Sequence, residues 1–179
     1  PDLERRWLRF GASGAGLVWC EATAVVPEGR ANPNQLMINE RTAEHLGNLR
    51  SRMVATRARE FDGARLVSGL QLTDSGRWSR PFGDPEPRVT FRQPQLDERL
   101  PVSDSSVLSD DELDDLVDAY VRAGALAADA GFDLAAQAPD RAERWSATAE
   151  DSTASRAPDE RALGANGTFL VERNALRPH

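Results

Sequence analysis

The chain has 179 residues, a formal net charge of −7 and a hydrophobic share of 40%. This is the composition of one ordinary globular domain of moderate size, and its acidic excess excludes nucleic acid as a default partner, because phosphate backbones reward clustered positive charge. All 22 basic residues are arginine, which excludes a Schiff-base or phosphate-loop lysine, while one cysteine and two histidines exclude an internal disulfide and leave little for a metal site.

The first predicted element is a helix over Asp2 to Phe10, with Leu3, Trp7 and Phe10 on one face. Gly11, Gly14 and Gly16 follow, and then the apolar run Leu17-Val18-Trp19-Cys20 opens a strand that reaches Val25. A dinucleotide loop needs the reverse order, a strand before its glycines and a helix after them. The cluster therefore reads as a connection between helix and strand. Cys20, inside the apolar strand, reads as an inert core thiol.

A polar loop spans Pro27 to Asn39. Thr42 stands where an N-cap belongs, and Leu46, Leu49, Met53 and Thr56 continue at helical spacing to about Phe61, with His45 on the solvated side. Asp62-Gly63 ends that helix, and Ala64 to Leu72 reads as a second buried strand with Gln71 near its end. A longer loop runs from Thr73 to Val107, rich in proline, arginine and aspartate. Ser109 and Glu112 then form a capping box, and Asp110 and Asp111 complement the positive end of the helix dipole. This helix should bury Leu113, Leu116, Val117, Tyr120, Val121 and Ala127 and stop at Gly131. The acidic run at its start is read as capping rather than as a catalytic carboxylate pair.

Short turns thus lead into the strands and long loops leave them, the rhythm of strand–helix units around a parallel sheet. In such architectures ligands collect at the C-terminal strand ends, so the two long loops should share one face. From Leu134 onward the sequence is alanine, arginine and acid without a sustained apolar period, and 134–179 reads as an irregular polar tail interrupted by one strand-like run, Thr168 to Val171. No apolar run approaches the ~20 residues of a membrane span. No signal peptide opens the chain, which begins without methionine as if cut from something longer, and a cytoplasmic protein with no membrane partner is expected.

Three blocks, GAGLVWCEATAVVPEGRANPNQLMI, GLQLTDSGRWSRP and VLSDDELDDLVDAYVRAGALAADAGFD, together resemble the NADH:flavin oxidoreductases of the Old Yellow Enzyme family, in the family's order and spacing over residues 3–133. The resemblance implies an α/β fold, part of a (β/α)8 TIM barrel with about two to three strand–helix units, as a flavin oxidoreductase domain over 1–133. It also implies FMN as cofactor, NADH or NADPH as electron donor, and an activated alkene or enone as the small-molecule acceptor of an ene-reductase. Ala22 matches the small residue that lies against the flavin, and Gln71 the glutamine whose amide bonds the pyrimidine edge. An amide supplies the donor and acceptor that such an edge requires. The other reading of Gln71 is a strand-end glutamine that caps a loop. Arg30 and Arg77, on the ligand-side loops, are candidates for substrate contact or loop structure, with a surface salt bridge as the alternative.

The chain departs from the family twice. Asp74 stands where the family's loop carries histidine, and after Asp133 the chain reads Leu134-Ala135-Ala136-Gln137 where the family continues into its fourth strand and a His-His or His-Asn pair. No proton-donating tyrosine is placed, since Tyr120 is helical, and no catalytic residue is assigned. The chain therefore reads as a truncated or altered member, poorly active or inactive alone. A closed barrel of this kind takes ~250 residues. The competing reading is a catalytically inactive fragment or assembly module that pairs with itself or with a complementing chain. ALGANGTFLVERNALRP resembles, over a short span, a segment near the C-terminus of dye-decolourising peroxidases and implies no site residue.

Overall fold

The computed structural model describes residues 2–137 and 170–172. Helix α1 (Asp2–Gly11) leads through the glycine turn into strand β1 (Leu17–Ala24). Strand β2 (Leu36–Met37), helix α2 (Ala43–Glu60) and strand β3 (Val67–Thr73) follow. The short helix α3 (Pro94–Asp97), the long helix α4 (Asp110–Asp129), strand β4 (Leu134–Gln137) and strand β5 (Leu170–Glu172) complete the described elements. The sheet order is β2-β1-β3-β4-β5. The first four strands are parallel, and β5 joins the β4 edge antiparallel.

Strands β1, β3 and β4 lie side by side in chain order, each linked to the next by a helix. No reversal of order interrupts them, as it does in a doubly wound sheet. Helices α1, α2 and α4 share one core with the sheet: Trp7 of α1, Leu46 and Met53 of α2, and Ala119, Ala123 and Ala127 of α4 meet Val18, Cys20, Leu70, Leu72 and Ala135. Trp7 is fully buried, edge-on to Phe132 at 6.1 Å, with its indole N–H donating to Glu21 Oε2 at 2.9 Å. On the opposite face Leu17 and Trp19 remain 54% and 43% exposed. One-sided helix packing is the arrangement of a barrel wall, whose other face looks inward.

Close helix packing explains the first glycine of the turn. A Cβ at Gly11 would fall 2.3 Å from the Met53 carbonyl oxygen, so the end of α1 lies directly on α2. The cluster is a helix–strand connection, as its order along the chain indicates.

The structure corrects several local expectations. Thr42 occupies the N-cap position of α2, but its hydroxyl donates to the Met37 carbonyl at 2.7 Å and caps nothing. Asn39 takes over, its Oδ1 accepting from the N–H groups of Arg41 and Thr42 at 2.9 and 3.1 Å. The polar loop 27–39 also contains β2, too short to carry a sequence period. On α4 the capping box forms as expected, with Ser109 N–H donating to Glu112 Oε2 at 2.8 Å, and Gly131 ends the helix at φ +93°. Its buried face is rotated, however. Ala119, Ala123, Gly124 and Ala127 go inside, and Val117 and Val121 stay 50% and 57% exposed. Alanines are inside because the sheet approaches closely, which leaves the bulkier valines on the flank.

The first four residues of the expected irregular tail are a strand. Leu134 to Gln137 form β4, pairing with β3 in the register Gly69↔Leu134, Leu70↔Ala135, Gln71↔Ala136 and Leu72↔Gln137. Two alanines with weak strand preference hide this strand from sequence reading. Of the strand-like run expected over Thr168 to Val171, Leu170 and Val171 lie in β5; Thr168 and Phe169 lie outside the described residues, as does most of the proposed tail. Among the described residues no helix is long and apolar enough to cross a membrane.

Candidate functional site

The N-terminal strand ends are tied down completely. Asp133 accepts from the Ser68 N–H and hydroxyl, both at 2.9 Å, and from Arg50 at 3.1 Å and Arg65 at 3.3 Å. Arg50 Nε also donates to the Ser68 hydroxyl at 2.9 Å. Burial pushes the Asp133 carboxyl up, but these donors outweigh it and hold its pKa below the ordinary value. The network joins α2, β3 and the α4–β4 turn, and the sequence reading missed it. Cys20 lies fully buried nearby, its thiol pushed to about 12 by burial against a smaller opposing effect of Arg50. A thiol so held is no nucleophile.

The C-terminal strand ends are built differently. A β-bulge in β1 sits between Cys20 and Thr23, so two residues, Glu21 and Ala22, stand level with Gln71 of β3. Such bulges re-aim side chains, and here Glu21 turns to Trp7 while Ala22 keeps its place beside Gln71. On the other side Gln71 pairs with Ala136 of β4. The result is a row of small, amide and small side chains across three parallel strands. The Gln71 amide is half-buried and makes no side-chain hydrogen bond among the described residues. One step towards the N-terminal ends, the Trp19 ring lies across Gly69, where a Cβ would fall 2.2 Å from it.

Both long loops emerge beside this row and are bonded to each other. Ser75 N–H donates to the Gly29 carbonyl and Arg80 N–H to the Arg30 carbonyl, each at 2.8 Å. Arg30 uses Nε, Nη1 and Nη2 on the carbonyls of Pro27, Pro33 and Pro81 at 3.1, 3.1 and 3.2 Å, so its guanidinium ties the loops together. Gln35, which the sequence reading missed, donates to Thr73 Oγ1 at 3.0 Å and to the Ala22 carbonyl at 3.3 Å. Arg77 is 1% exposed and ion-paired with Asp97, with Nη2 donating to the Phe91 carbonyl at 3.0 Å. It is therefore a buried brace of the second loop rather than a surface salt bridge. Arg92, also bonded to Asp97, holds that carboxyl below its ordinary pKa, against a smaller effect of burial.

Asp74 is folded inward. Its Oδ1 accepts from the Gly76 N–H at 2.7 Å, and a Cβ at Gly29 would fall 2.3 Å from its Oδ2. Burial raises its pKa, with the Gly76 N–H and Arg88 acting the other way. The carboxylate lines a polar cleft of about 390 Å³ against α4, with Glu28, Arg88 and Arg122. The carboxylate thus has a turn N–H and a glycine as its close neighbours. Among the described residues no cluster of histidine, cysteine or carboxylate side chains could hold a metal.

No protein-family model and no curated protein sequence matches the chain. Solved structures do. A variant of morphinone reductase in complex with tetrahydroNAD is 23% identical, with a TM-score of 0.51 over 73% of this chain and 38% of that one. Morphinone reductase itself is 21% identical, with a TM-score of 0.52 over 75% and 38%. Histamine dehydrogenase from Rhizobium sp. 4-9 is 19% identical, with a TM-score of 0.51 over 74% and 20%. All are members of the Old Yellow Enzyme family.

The fold is a parallel α/β sheet with helices, like part of the TIM barrels of these neighbours. At these identities the likeness establishes the fold alone, and the chain spans 38% of the length of morphinone reductase. Within a barrel the Ala22–Gln71–Ala136 row lies at the C-terminal mouth, where the active sites of this architecture are built.

Proposed function

We propose that the chain contributes flavin-binding strands of an FMN-dependent NAD(P)H oxidoreductase of the ene-reductase type. The observation that carries this reading is the amide of Gln71, without a side-chain hydrogen bond among the described residues and flanked by Ala22 and Ala136 at the C-terminal strand ends. A half-exposed amide with no protein partner among the described residues can exchange its water for a ligand without giving up a bond within the fold. Gln71 would donate to and accept from the pyrimidine edge of FMN, and the two alanines would leave a planar ring room to approach. FMN held there would supply hydride transfer between NADH or NADPH and an activated alkene such as an enone, whose α-carbon would take its proton from water. The tetrahydroNAD bound to morphinone reductase favours a nicotinamide donor.

The chain's other residues act on the loops. Arg30 and Gln35 hold the first loop against the strand ends, and Arg77 braces the second, so neither arginine is free to clamp a substrate. Purified protein mixed with FMN should retain the visible band of oxidised flavin through gel filtration. Protein that emerges colourless would overturn the proposal.

The exposure of Leu17 and Trp19 on the inner face, 54% and 43%, favours a second reading, an assembly module without turnover. That module would give a colourless protein whose inner face is covered by another chain.

A further inference from the structure

The β-bulge of β1 sets the spacing of the proposed flavin site, and a side chain of the first loop holds that bulge. Between Cys20 and Thr23 the strand has one residue more than β3, so Glu21 and Ala22 stand opposite Gln71. A bulge disrupts the ladder and bends its strand, and buried carbonyl groups there need donors from elsewhere. Side chains reach both residues. Thr23 Oγ1 donates to the Glu21 carbonyl at 3.0 Å, and Gln35 Nε2 donates to the Ala22 carbonyl at 3.3 Å. The same Gln35 nitrogen, which carries two hydrogens, also donates to Thr73 Oγ1 at 3.0 Å. Thr73 lies two residues beyond Gln71 on β3 and so on the same face of that strand. One amide thus bridges β1 and β3 beside the row that Ala22 and Gln71 form.

Gln35 is itself aimed by its surroundings. Its N–H donates to the Asn32 carbonyl at 3.1 Å, its Oε1 accepts from the Ala31 N–H, and the next residue, Leu36, pairs with Thr23 in the sheet. The side chain is half-buried and both of its polar atoms are bonded. We infer that Gln35 is a positioning residue of the flavin site: its amide fixes the β1 bulge, and through it the placement of Ala22 relative to Gln71 that lets a planar ring lie against the first and bond the second. The inference rests on the FMN reading above. Gln35 acts through the Ala22 carbonyl and Thr73, and its removal lets the bulge relax, so that binding has to restore the geometry.

The test is titration of the full chain with FMN, comparing wild type, Gln35→Ala, Gln71→Ala and the double variant, each checked for native circular dichroism and urea stability. Gln35→Ala should bind FMN about threefold to tenfold more weakly, with the visible band of the bound flavin shifted. In the Gln71→Ala background the same substitution should weaken binding by less than about twofold, because the two residues act through one row. Gln35→Glu keeps the length and the acceptor but has no donor when ionised. Its affinity should approach that of wild type as the pH falls toward the ordinary glutamate pKa of about 4.3, where the acid O–H donates again. This variant decides the matter if Gln35→Ala does not fold. A purely structural role would lower the urea midpoint and leave the affinity and the flavin band of the folded protein unchanged, which would overturn the inference. So would additive losses in the double variant, or a Gln35→Glu affinity that keeps one ratio to wild type at every pH. In each of these cases the wild type still binds FMN and the proposed function stands, whereas a wild type that binds no FMN would overturn both.

Discussion

The two ends of the parallel strands are opposites. At the N-terminal ends Asp133 collects donors from Ser68, Arg50 and Arg65, and little polar capacity is left over. At the C-terminal ends the Gln71 amide, between two alanines, has no side-chain partner among the described residues, and Arg30 and Arg77 are spent on holding loops. The contrast separates groups bonded within the wall from groups with spare bonding capacity, the division that barrel architecture makes between its two faces.

Breaking the closed end should have the largest effect. Asp133→Ala leaves Arg50 and the Ser68 N–H without their acceptor and should lower stability by about 2–3 kcal/mol, seen as a reduced urea midpoint at unchanged slope. The pH dependence follows from the same group. Its folded pKa lies below the ordinary value, so its stabilisation is complete above an unfolded pKa of about 3.9 and is lost as pH falls through the folded value. Asp133→Asn should therefore flatten the acid limb of the stability profile.

On the inner face, Gly69→Ala places a methyl in the space of the Trp19 ring and should cost about 1–2 kcal/mol as the ring is displaced, with a change in tryptophan fluorescence. Ser109→Ala removes the α4 cap and should cost about 1 kcal/mol in the same denaturation assay. Smallest of all, Gln71→Ala should change stability by less than about 0.5 kcal/mol, because no bond within the described protein is lost.

Local chemistry was legible in the sequence. Ser109 and Glu112 sit three positions apart and bond as their spacing implies, and Gly131 ends α4 where it should. The strand placement of Gln71 and the meeting of the two long loops were readable from the same logic. Long-range packing was not. Val117 and Val121 fit the helical period as well as the alanines do, and only the closeness of the sheet decides which set is buried. The burial of Arg77 depends on Asp97, distant along an irregular loop, and β4 is concealed by alanines that carry no strand signal. The Asp133 network joins residues from α2, β3 and the α4–β4 turn, so no local motif announces it.

The central claim, that the Gln71 amide is held open for the flavin edge, is tested most directly by titrating wild type and Gln71→Ala with FMN and measuring their urea stability in parallel. Loss of two amide hydrogen bonds should weaken FMN binding by about tenfold or more at unchanged stability. Equal FMN affinity for the two proteins, or a loss of affinity matched by a loss of stability, would contradict it.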